Sequence, residues 1–76
     1  MPIIVRFAFC VICINPREHN PPHFHVRMND GREALIEIDT LAILATEVAR
    51  REIREALSWA EANRELLKHK FEEYNP

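Results

Sequence analysis

The sequence predicts an α+β fold, a three-stranded antiparallel sheet (β-β-β) packed on one face by C-terminal α-helix. Two observations carry it. Up to about Thr46 the chain is rich in β-branched residues, aromatics and prolines, and beyond it Ala, Leu, Glu and Arg take over at helical spacing. The only glycine, Gly31, falls between two alternating segments, where a hairpin turn would need it.

The first strand is expected over Ile3 to Ile14, an apolar run broken by Arg6 and closed by Asn15-Pro16. The second covers Phe24 to Met28 and the third Glu33 to Ile38, or on past Asp39-Thr40 to Leu44. Phe24, Val26 and Met28 alternate with His23, His25 and Arg27; Ala34, Ile36 and Ile38 alternate with Glu33, Leu35 and Glu37. Placing both apolar sets on one face pairs Val26 with Ala34 and Phe24 with Ile36, and leaves Asn29-Asp30-Gly31 as a three-residue loop. The same register sets Arg27 opposite Glu33, His25 opposite Leu35 and His23 near Glu37, a polar row facing away from Phe24.

Thr46 has the chemistry of a helix N-cap, with Glu47 in the first turn. Ile53, Leu57, Ala60, Leu67, Phe71 and Tyr74 form one apolar stripe, flanked by Val48 and Leu66. A single helix to Tyr74 would run roughly 43 Å against roughly 27 Å for the strands. It must therefore break, with Asn63 as the expected point, or overhang the sheet and meet a second copy. Trp59 lies off the stripe, suited either to an interface or to capping the sheet edge.

With 76 residues the chain has room for one domain, 1–76, and a thin core. Hydrophobic residues make up 47%, which argues against disorder and favours self-association as a homodimer. A net charge of −2 and a pI near 6.1 supply no global field for nucleic acid, so an anion site would have to be local. No leader or membrane-spanning run is visible, and a cytoplasmic location is expected. Cys10 and Cys13 are spaced like half of a zinc or redox motif, but on a strand positions three apart point to opposite faces. They read as small core residues.

Three of the four histidines sit in Glu18-His19-Asn20-Pro21-Pro22-His23-Phe24-His25-Val26-Arg27. Two prolines stiffen the backbone where the strand begins, so the histidines project from a fixed extended segment. This string resembles the signature of the small bacterial and phage proteins grouped as domain of unknown function 4160. The resemblance extends to Met1-Pro2-Ile3-Ile4, Arg6-Phe7, the acidic strand Glu33 to Ile38, and Trp59-Ala60, Arg64 and Leu66 in the helix. Ala8-Phe9-Cys10 replaces the family's usual glycine after Arg-Phe, Asn63 stands where a histidine is common, and Phe71 where a tryptophan is common. What the resemblance implies is a place in a compact two-gene operon beside another small protein, in the manner of toxin–antitoxin pairs.

Three chemistries fit the histidines. His23 and His25, about 7 Å apart at Cα on one strand face, could chelate a divalent transition metal such as zinc or nickel, with His19 or Glu37 as a third ligand. His23 or His25 could move a proton during cleavage of a phosphodiester while Arg27 or Arg6 holds the developing charge, a ribonuclease-type reaction. The face bearing Arg6, His19, His23, His25, Arg27 and Glu37 could instead dock a protein, with Phe24 or Trp59 as an aromatic anchor. Against all three stands a structural role, with the prolines shaping the strand entrance and the histidines hydrogen-bonded within the fold.

Overall fold

Five strands, not three, make the sheet. The computed structural model describes residues 2–76 and runs β1 (Ile3–Arg6), β2 (Cys10–Cys13), β3 (His23–Met28), β4 (Glu33–Glu37) and β5 (Ile43–Thr46). A 3-10 turn (Arg50–Ile53), α1 (Arg54–Ala62) and α2 (Arg64–Tyr74) follow. The strands form an antiparallel meander in the order β1-β2-β3-β4-β5.

The extra strands come from two turns hidden in apolar sequence. The expected strand Ile3 to Ile14 is a hairpin, closed where the Phe7 N–H donates to the Cys10 carbonyl at 2.8 Å. Phe7-Ala8-Phe9 carries no Gly, Pro or Asn, so nothing local marks the reversal. It is held from outside instead: Asn29 donates its backbone N–H to the Phe9 carbonyl at 2.9 Å and its side-chain amide to the Ala8 carbonyl at 3.0 Å. The second hidden turn separates β4 from β5, where the expected third strand was to continue to Leu44. Ala42 N–H donates to the Thr40 hydroxyl, and Leu41 takes φ 61° while burying its side chain. Burial offsets a left-handed conformation that leucine otherwise disfavours.

The β3–β4 register is as the alternation requires: Phe24 pairs with Ile36, Val26 with Ala34, His25 with Leu35, Arg27 with Glu33 and His23 with Glu37. Gly31 has φ 95°, in the turn whose ends are joined by Met28 N–H and the Arg32 carbonyl at 2.8 Å. Arg32 bridges Asp30 at 2.9 Å and Glu52 at 3.0 Å, tying this turn to the 3-10 segment.

Thr46 does not cap a helix. It ends β5, and its hydroxyl accepts the Val48 N–H at 2.9 Å and donates to the Val48 carbonyl at 2.7 Å, so helical backbone starts only at Arg50. Asn63 is the break point. Its side-chain amide donates to the Trp59 carbonyl at 2.8 Å, closing α1, and its own carbonyl accepts Leu67 N–H at 3.0 Å, opening α2. The broken helix keeps its stripe on one sheet: Ile53, Leu57, Ala60, Leu67 and Phe71 are buried against Ile12, Phe24, Val26 and Ile36. Trp59 is half-buried edge-on to Phe7 at 6.3 Å, beside the edge strand. Cys10 and Cys13 are buried free thiols, and burial raises both pKa values, helped by Glu55 at Cys10 and Glu33 at Cys13.

Two substitutions test this account. Ile36→Ala, at a position with no solvent exposure, should lower unfolding free energy by about 2–5 kcal/mol in urea titrations. Gly31→Val should cost about 1–3 kcal/mol through backbone strain alone, since an added Cβ there meets no atom within 4 Å. Gly31→Asn, which tolerates positive φ, should lose much less.

Candidate functional site

The loop between β2 and β3 builds the site by folding back over the strand it precedes. The Asn20–Pro21 bond is cis, Pro22 follows, and β3 opens with His23. Helix α2 fixes the rest of the loop through one side chain: Asn75 Oδ1 accepts the Glu18 N–H at 2.7 Å, while Asn75 Nδ2 donates to the Asn15 and Phe71 carbonyls, both at 3.1 Å. Glu18 is thereby held against the histidine face of β3.

His25 Nε2 and Glu18 Oε1 lie 2.7 Å apart, and His23 Nε2 and Glu18 Oε2 lie 3.6 Å apart. The two imidazoles are edge to face at 5.5 Å between centroids, and the His23 ring also lies 5.6 Å from that of Phe71. His23 Nδ1 is 2.8 Å from the Pro21 carbonyl. A carbonyl can only accept, so Nδ1 carries the proton. His23 is 6% exposed, and its other nitrogen, Nε2, is buried with no hydrogen-bond partner. On the far side of His25, Nδ1 is 3.7 Å from Glu33 Oε1. Glu18, His23 and His25 offer ligand atoms all within 4.8 Å of one another, a group that could hold a metal ion.

Burial raises the Glu18 carboxyl pKa, but the hydrogen bond from His25 and the charges of His25 and His23 outweigh it. The net shift is downward. Two shallow depressions flank the cluster. Glu18, with Arg17, His19 and Tyr74, lines one; His25, with Glu33, Leu35 and Ala45, lines the other. A further hollow beside Phe9, Met28, Arg32 and Glu52 lies at the other end of β3 and contains no histidine.

The remaining expected site residues are dispersed. His19 is exposed on the loop and contributes nothing to the three-residue cluster. Glu37 faces His23 in the ladder, but its carboxylate accepts the Thr40 hydroxyl. Arg6 and Arg27 are exposed and share a face with His25. Phe24, named as an anchor, is entirely inside the core. Glu18, absent from the expected ligands, is the residue that joins both histidines. Its signal was its position at the head of the Pro-Pro-His-x-His string, on a segment the prolines turn back.

The helices pack on the face that carries Phe24, Val26 and Ile36, and the opposite face is covered in part by the Glu18 loop. Register defines its rows. One reads Arg6, Val11, Arg27 and Glu33, with Glu47 hydrogen-bonded beside Glu33; the next reads Ile3, Cys13, His25, Leu35 and Ala45. The first row is basic toward β1 and β3 and acidic toward β4 and β5. The second is largely apolar.

These features define a small α+β protein with a Glu-His-His cluster at the entrance to its central strand. The chain belongs to the family described as Domain of unknown function (DUF4160), which it matches over residues 7–72. No curated protein and no solved structure matches it. No helix among the described residues is long and apolar enough to cross a membrane.

Because the folded-state pKa of Glu18 is depressed, its ionised form stabilises the fold fully above the ordinary carboxylate range, and this contribution fades as pH falls through the lowered value. Glu18→Gln should therefore cost about 1–3 kcal/mol near neutral pH, and the gap between variant and wild type should close on acidification. Unfolding curves at a series of pH values check both the gap and its closure.

Proposed function

We propose that this chain is a small cytoplasmic binding partner in a two-gene module of toxin–antitoxin type, docking its companion through the open sheet face. The observation that carries the reading is the part of that face left to solvent, where exposed Ile3 and Ala45 and half-buried Leu35 lie beside a charge-polarised row. Apolar area left open next to complementary charge is what a specific interface needs, the first for affinity and the second for register and encounter rate. The homodimer expected from an overhanging helix loses that rationale, since Leu67 and Phe71 are buried within their own chain. A second copy on the sheet face is the competing occupant.

The 2.7 Å contact between Glu18 and His25 favours a second reading, a carboxylate–imidazole pair for proton transfer in a ribonuclease-type enzyme. Arg27 lies two residues beyond His25 on the same face and would meet a phosphate there. Cleavage of labelled RNA that disappears in His25→Ala would favour this enzyme over the partner.

The partner reading is tested by co-expressing the chain with the product of its adjacent gene, followed by co-purification and a growth assay. Arg27→Glu combined with Leu35→Glu should weaken the complex at least tenfold without unfolding either protein, and toxicity of one member should be relieved by the other. Sedimentation of the chain alone identifies a homodimer if one forms. Failure to co-purify, with or without a homodimer, would sink the two-gene reading.

A further inference from the structure

We propose that Glu18, His23 and His25 form a site for one divalent transition-metal ion, with zinc the best fit. The decisive group is His23. Its Nδ1 donates to the Pro21 carbonyl at 2.8 Å, so a neutral ring directs the Nε2 lone pair at Glu18 Oε2, 3.6 Å away. Two electron-rich atoms facing each other, the imidazole nitrogen buried and the carboxylate partly so, repel unless positive charge lies between them. A proton on Nε2 would give an ion pair but leave its N–H buried without an acceptor, since 3.6 Å is beyond the reach of a hydrogen bond. A metal ion fits that gap: tetrahedral zinc with bonds of about 2.1 Å holds its ligand atoms roughly 3.4 Å apart.

Completing the site requires small movements. The ligand atoms of the three residues already lie within 4.8 Å of one another. His25 Nε2 would exchange its 2.7 Å contact with Glu18 for a bond to the ion, leaving Nδ1 to donate toward Glu33 Oε1, now 3.7 Å away. His23 already makes the corresponding outer contact through the Pro21 carbonyl. Such outer acceptors fix the tautomer and orientation of a ligating imidazole. Two imidazoles and a carboxylate select zinc, nickel, cobalt or copper over calcium and magnesium, which prefer all-oxygen sites. Three protein ligands leave a fourth position open toward the depressions that Glu18 and His25 line, where water, a small anion or a docked side chain can bind.

The test titrates chelator-treated full-length protein with zinc chloride by calorimetry, and with cobalt chloride by visible absorption, which reports tetrahedral nitrogen and oxygen ligation. One ion per chain is expected, with a rise in melting temperature. His25→Ala and Glu18→Gln should each weaken binding at least tenfold, while His19→Ala should leave it unchanged. Since His23 is buried and His23→Ala can disturb folding, its role is read in the wild type from nitrogen NMR, where Nε2 should shift on zinc addition while Nδ1 stays protonated. Absence of stoichiometric binding, an unmoved Nε2 resonance, or affinity that follows His19 rather than His25 would each overturn the site. The ion is the only ligand used, so the result stands apart from whether any partner protein binds.

Discussion

The two-residue period of β3 governs this molecule. Phe24, Val26 and Met28 point into the core, while His23, His25 and Arg27 are sent to the other side by the same backbone. A shift of one residue against β2 or β4 would bury the charges and expose the core together, so hydrophobic burial pins the position of the histidines. Phe24 facing Ile36 and Val26 facing Ala34 on one side compels His25 to face Leu35 on the other. Chemistry on one face is thus positioned by packing on its reverse.

Much of this was legible because the signals were local. Alternation along residues 23–37 dictated the central pairing, Gly31 marked its turn, and Asn63 marked the helix break. The sheet was undercounted where the turn signal was non-local. Phe7-Ala8-Phe9 reverses because Asn29, on another hairpin, supplies two hydrogen bonds. Leu41 likewise takes a left-handed backbone because its side chain is needed inside. Thr46 has an N-cap's chemistry and uses it, accepting an N–H two residues on, but in a turn and not a helix.

The candidate site divides along the same line. His23 and His25 could be paired from the strand period alone. Their acidic partner was marked only by its place at the head of the Pro-Pro-His-x-His string, because Glu18 reaches them through a loop whose path depends on Asn75, 57 residues further along. His19 and Glu37 were the nearer choices by sequence and by ladder position. Loop direction decided against the first, and the Thr40 hydroxyl engages the second.

That Asn75 clamp also sets a timetable. Its bonds span 57 and 60 residues, so the Glu18 loop cannot be locked over β3 until almost all of the intervening chain has been made. At roughly 5–20 residues per second, a ribosome needs roughly 3–12 s to travel that distance. During this interval the β-meander, whose neighbouring strands pair locally, can form while the histidines still lack their carboxylate. A nascent chain would therefore acquire its sheet before its Glu-His-His cluster, and anything that recognises the cluster would distinguish chains that extend past Asn75 from shorter ones.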